Sequence, residues 1–209
     1  MKKVISSSVL MLIMLLTGIL LFTPKVSAAS EKKAIVTVNM NGGKLGDSRK
    51  IVHYGYIYAG ELSGDGECFS GNGYEYPYRK GYAFAGFSYD KKGKKSVKSE
   101  EQAYKKASKK KNGKITIYAR WKKKCIKVTF VPGKNKLLDF RNQKYTNKSI
   151  SVYIQKGKVV GSGIASYPFQ YAGDYMVEWY TDKALTHKVN LWSYKPKKND
   201  KLYAKYIYN

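Results

Sequence analysis

The chain is poor in the residues that carry most metal and covalent chemistry. Of its 209 residues only two are histidine, two are cysteine and 14 are acidic. His53 and His187 have no cysteine or acid at metal-ligand spacing, so neither a metal nor a cofactor is expected. No Gly-x-Ser-x-Gly, His-Glu-x-x-His or phosphate-loop glycine pattern occurs. Carboxylates are too scarce to suggest a paired acid–base site. We therefore expect no catalytic residue and no enzyme. Scarce cysteine also excludes a disulfide framework. In an oxidising compartment Cys68 and Cys125 either pair, closing a loop of nearly 60 residues worth about 4 kcal/mol, or stay as thiols.

Long apolar runs are missing too, except at the start. Lys2 and Lys3 precede an almost wholly apolar stretch from Val4 to Phe22. Its dense part, from Val9, is short of the roughly 18 to 20 residues that a spanning helix needs. Pro24 and the small residues Val26-Ser27-Ala28 follow, a pattern that a signal peptidase reads. Residues 1–28 are expected to be a cleaved signal peptide. The mature chain is then exported, to the cell envelope or the extracellular space, without a transmembrane segment.

Positive charge is in excess. The formal net charge is +26, from 40 lysines and arginines against 14 acids. Lys2, Lys3 and Lys25 fall before the cut and no acid does, leaving +23 on the mature chain. Such a field repels its own copies and favours a negative partner. Outside a cell that partner is an anionic wall polymer, an acidic polysaccharide or an anionic lipid surface. Nucleic acid is expected to bind only non-specifically, because polyphosphates resemble one another electrostatically.

The charge is densest between Lys91 and Lys124, with 15 basic residues and two acids. Within it, Ser99 and Gln102 have capping-box spacing, Glu100 and Glu101 fill a first turn, and Asn112-Gly113 supplies a stop. A helix is predicted near residues 99–111. Lys105, Lys106, Lys109, Lys110 and Lys111 on it, with Lys122, Lys123 and Lys124 beyond it, are the candidate polyanion-binding residues.

Tyrosine is the other excess, with 20 copies. Tyr54, Tyr56 and Tyr58 alternate, as do Tyr74, Tyr76 and Tyr78, which places each trio on one face of a strand. Cross-strand packing explains them, and so does an aromatic platform for sugar rings beside Arg79 and Lys80. Alternation also predicts strands over 34–39, 115–121 and 126–131. Segments 149–155 and 159–168 flank Lys156-Gly157-Lys158 and predict a hairpin. The fold class is α+β, mostly β.

The chain also repeats itself. Val36-Thr37-Val38 is matched 92 positions later by Val128-Thr129-Phe130. The run from Gly81 to Lys91 is matched at the same offset by Gly173 to Lys183. The closing Ile117-Tyr118-Ala119-Arg120-Trp121 is matched at an offset of 85 by Leu202-Tyr203-Ala204-Lys205-Tyr206. The slip places the extra helix in the first copy. Two modules are expected, 29–124 with the inserted helix and 125–209.

At these residues the chain resembles the Listeria–Bacteroides repeat family, the internalin-type B-repeat of exported bacterial proteins. The first copy shows Asn41-Gly42-Gly43, Gly81-Tyr82-Ala83-Phe84-Ala85-Gly86-Phe87 and Tyr118-Ala119-Arg120-Trp121. The second shows Trp179-Tyr180-Thr181-Asp182-Lys183 and Leu202-Tyr203-Ala204-Lys205-Tyr206. It has Gly133-Lys134-Asn135 in place of Asn-Gly-Gly, and Gly173-Asp174-Tyr175 departs from Gly-Tyr-x-Phe. The resemblance implies two tandem β-grasp-like modules and a place at the cell envelope. The expected function is non-enzymatic surface attachment through a basic face; the alternative is a secreted cationic toxin or antimicrobial acting on membranes.

Overall fold

The computed structural model describes residues 31–58, 61–63, 69–70 and 74–208. The expected signal peptide and Cys68 lie outside the described residues. The described residues all fall within one compact unit, Glu31–Asn209, and their structure is mostly β.

Alternation builds the first sheet. In β1 (Lys32–Asn39), Ala34, Val36 and Val38 point inward and are fully buried. Beside it run β2 (Lys50–Tyr58), β3 (Glu61–Ser63), β4 (Ala83–Ser88) and β5 (Lys114–Lys122), in the order β3-β2-β1-β5-β4. The central pair β1 and β5 is parallel, with Val38 opposite Ile117; the other pairs are antiparallel. A bulge between Phe84 and Phe87 contains Gly86 at φ 82°.

One helix covers this sheet. α1 (Glu100–Ser108) starts where the capping residues put it, with Gln102 N–H donating to Ser99 Oγ at 3.2 Å. Ala103, Tyr104 and Ala107 form its buried face, packed on β1, β2 and β5. Gly55 makes room for the Tyr104 ring, because a Cβ there would meet Cδ1 at 2.7 Å. Phe69 joins this core with its ring centroid 5.2 Å from that of Tyr104. The sheet's other face carries Tyr54, Tyr56 and Tyr58, which are 49%, 41% and 54% exposed. The second tyrosine trio is not on a strand. Tyr74 is exposed, whereas Tyr76 and Tyr78 pack against the second core, where burial pushes the Tyr76 hydroxyl up to about 12.

The second sheet contains β6 (Cys125–Val131), β9 (Ile150–Gln155), β10 (Tyr171–Ala172), β11 (Tyr175–Tyr180), β12 (Lys188–Val189) and β13 (Asp200–Tyr208). A separate ribbon pairs β7 (Leu137–Asp139) with β8 (Lys144–Thr146). The main order is β10-β11-β13-β6-β9, with β12 beside β11. Its central pair, β6 and β13, is again parallel, with Phe130 opposite Leu202. Phe130 packs at 4.2 Å from Phe169 and edge-on at 4.7 Å from Trp179, whose Nε1 donates to the Phe169 carbonyl at 2.6 Å.

The predicted hairpin over 149–168 forms only its first strand. β9 pairs with β6, while the following segment makes a 3-10 turn (Val160–Gly163) and a short helix α2 (Tyr167–Gln170). Gly161 and Gly163 are poor strand formers, and both fit close approaches. A Cβ on Gly161 would lie 2.0 Å from Trp192, and one on Gly163 would lie 2.4 Å from Ile154. Val160 and Ile164 are thereby buried over the second core rather than placed in a strand.

Candidate functional site

Each sheet ends in a cleft where its central parallel pair stops. In the first, the chain leaves β1 through Asn41 and Gly42, at φ 46° and 88°. The Asn41 side chain lies across β5, its Nδ2 donating to the carbonyls of Ala119 at 3.2 Å and Lys91 at 3.4 Å. Arg79 Nη1 donates to the Asn41 carbonyl at 3.2 Å, and its guanidinium lies 4.0 Å from the Tyr82 ring centroid. Trp121 Nε1 donates to the Met40 carbonyl at 2.8 Å. Its ring rests on Gly43, where a Cβ would come within 2.2 Å. What is left is a cleft of about 260 Å³ rimmed by Arg79, Lys91, Lys92 and Arg120, with no carboxylate in its lining.

In the second sheet the corresponding turn is Pro132, Gly133, Lys134 and Asn135. Gly133 keeps the left-handed conformation, φ 68°, without a side chain. The Tyr206 hydroxyl donates to the Pro132 carbonyl, as Trp121 does to Met40. Burial pushes that hydroxyl up to about 12, so it remains a donor at neutral pH. With no side chain at 133 and a smaller ring at 206, the cleft grows to about 630 Å³, within the range of small-ligand sites. Tyr175 and Tyr206 stand edge to face, 6.4 Å between centroids, and Lys134, Lys183 and Leu185 also line it. It too has no carboxylate in its lining.

Asp182 fixes the loop that carries Lys183 and Leu185. Its carboxylate accepts the backbone N–H groups of Thr186 at 3.1 Å and His187 at 2.8 Å. Desolvation pushes this carboxyl up, but those hydrogen bonds and the side chains of His187 and Thr186 outweigh it and hold it at about 2. Asp90 does the same for the first cleft, accepting from the N–H groups of Lys94 at 3.2 Å and Lys95 at 2.6 Å.

No protein-family model, curated protein or solved structure matches the chain.

The candidate lysines do not form one patch. β5 separates Lys114 from Lys122 by about 26 Å at roughly 3.3 Å per residue. Lys122, Lys123 and Lys124 are exposed at the far end of that strand. Lys109, Lys110 and Lys111 are exposed past the end of α1, close to the start of β1, since Ile35 N–H donates to the Gly113 carbonyl at 2.8 Å. The exposed Lys32, Lys33 and Lys114 share that end. Lys105 is tied to Glu101 at 2.6 Å, and Lys106 lies 3.7 Å from the Tyr89 ring centroid.

Cys125 is a free thiol that donates to the Gly81 carbonyl at 3.4 Å; burial pushes it up. His53 is buried against Phe69 and His187 sits in the Asp182 loop. Among the described residues no group of three His, Cys, Asp or Glu is placed to hold a metal, and no helix is long and apolar enough to cross a membrane. Sequence reasoning missed the second cleft. Its one signal is Gly133-Lys134-Asn135, 92 positions after Asn41-Gly42-Gly43.

Proposed function

We propose that this is an exported, non-enzymatic cell-envelope protein that holds an anionic wall polymer or acidic polysaccharide through exposed lysines. It consists of two tandem β-grasp-like repeats of the internalin B-repeat kind, 29–124 and 125–209. The repeat reading draws support from strand register. An offset of 92 carries Val38 onto Phe130 and an offset of 85 carries Ile117 onto Leu202; Val38 faces Ile117 just as Phe130 faces Leu202.

The observation that carries the binding reading is the cluster of Lys109, Lys110 and Lys111 with Lys32, Lys33 and Lys114, all exposed at one end of the first sheet. Clustered charge focuses a field that scattered charge does not. Against a membrane-active effector stands α1, whose apolar residues Ala103, Tyr104 and Ala107 are already buried on the sheet.

Cell fractionation tests the proposal. Exposed contacts are screened over about 8 Å at physiological salt and about 3 Å at 1 M. A wash near 1 M salt should release the protein from walls. Quantitative recovery in the medium at low salt contradicts the reading.

A further inference from the structure

The second cleft lacks the Asn41 side chain of the first and gains that of Asn135 in its lining. Asn41 and Gly133 share a left-handed backbone, at φ 46° and 68°. In the first cleft an amide N–H, that of Asn41, fills the space and donates to the Ala119 carbonyl. In the second, a Cβ on Gly133 would start 3.4 Å from the Ala204 carbonyl oxygen, which occupies the place of Ala119 O. The cavity thus presents an acceptor at the position where the first copy supplies its own amide.

The walls narrow the ligand further. Tyr175 and Tyr206 offer aromatic surface of the kind that stacks on sugar rings. Lys134 and Lys183 supply positive charge with no carboxylate in the lining to cancel it. Lys205 contributes less, because its ammonium lies over the Tyr180 ring at 5.9 Å.

We propose that this cavity binds an N-acylated amino sugar bearing a carboxylate or phosphate. Its amide N–H donates to the Ala204 carbonyl in place of an Asn41-like side chain, its ring lies against Tyr175 and Tyr206, and its anionic group faces Lys134 and Lys183. The inference deepens the envelope reading, in that such sugars are units of anionic wall and surface glycans.

The test is an NMR titration of residues 29–209 with N-acetylmuramic acid, a wall sugar, and N-acetylneuraminic acid, a host-glycan sugar. Glucuronic acid, which has no amide, and neutral N-acetylglucosamine are the controls. One or both N-acylated acids should bind and shift Tyr175 and Tyr206, and the preferred one names the source. Both controls should be weaker by about tenfold or more, equivalent to about 1.4 kcal/mol. Gly133→Asn rebuilds the Asn41 arrangement in a conformation asparagine tolerates. It should lower sugar affinity at least about tenfold while polymer retention persists.

Changing Lys134 and Lys183, both exposed, to Gln leaves the core untouched and provides a second reading should Gly133→Asn unfold. It should erase the preference for charged over neutral N-acetyl sugars. Unchanged affinity in Gly133→Asn, unchanged preference in the lysine variant, or no saturable binding of either acid overturns the cavity inference. Retention on anionic polymer in that last case would leave the envelope reading standing, whereas loss of polymer retention from the parent protein would remove that reading itself.

Discussion

Gly43 and Trp121 form a complementary pair; the positions matched to them in the second half hold Asn135 and Tyr206. The Trp121 ring occupies the space of a Cβ at 43, 2.2 Å from it. Gly43→Ala should therefore cost about 1–3 kcal/mol by overpacking, and adding Trp121→Tyr should recover part of that loss in a denaturant melt. Full additivity of the two changes would contradict the pairing. Asp182 makes a prediction about pH. Its folded value, about 2, lies below the ordinary 3.8, so its contribution is present above about pH 4 and is lost as pH falls through 2. Amide signals of Thr186 and His187 should lose their bonded positions over that window, and Asp182→Asn should weaken the same bonds at neutral pH. The aspartates were visible in sequence as matched positions, 90 and 182. Their loop-closing role was not, because it depends on N–H groups four and five residues on that only the folded loop turns toward them.

At the scale of elements, alternation and capping were legible, and their outcomes are β1, β5, β6, β9 and α1. Local signals sufficed there because buried residues such as Val36, Val128 and Val152 alternate with partly or fully exposed ones. The segment after β9 was misread as a strand because its glycines answer to Trp192 and Ile154, contacts distant in sequence or invisible without the fold. The second cleft was hidden for a related reason: Gly133-Lys134-Asn135 shows by itself only that Asn-Gly-Gly is absent, and its meaning lies in two carbonyls, that of Ala119 covered by the Asn41 side chain and that of Ala204 beside Gly133. The segment that follows α1 carries a prediction of its own. Changing Lys109, Lys110 and Lys111 to Gln should weaken polyanion binding more than changing the exposed, dispersed Lys144, Lys158 and Lys201. Net charge falls equally in both variants, and Lys109, Lys110 and Lys111 lie past the last turn of α1, so the helix should survive the change. Equal weakening in a heparin or teichoic acid binding assay would reduce the cluster to bulk charge.

At the scale of the molecule, the two halves each have a hydrophobic cluster, one spanning Ala34 to Ala119 and one spanning Ile126 to Ala204. They also share contacts. Tyr76 donates to the Ser162 carbonyl at 2.7 Å, Gln155 Nε2 donates to the Phe84 carbonyl at 2.8 Å, and Tyr78 packs against Phe140 and Tyr153. Residues 29–124 alone should melt cooperatively but at a lower temperature than the whole chain, since these bonds are lost. An unfolded first half would show that the two clusters work as one core. The charge is the property of the whole molecule on which the proposed polymer binding rests, and its signature is thermodynamic. Binding of the purified mature protein to teichoic acid should fall linearly in log K against log salt as counterions are released. The slope should become shallower when Lys109, Lys110 and Lys111 are changed to Gln. Affinity that is independent of salt, with the same slope in parent and variant, would contradict an electrostatic hold on an anionic polymer.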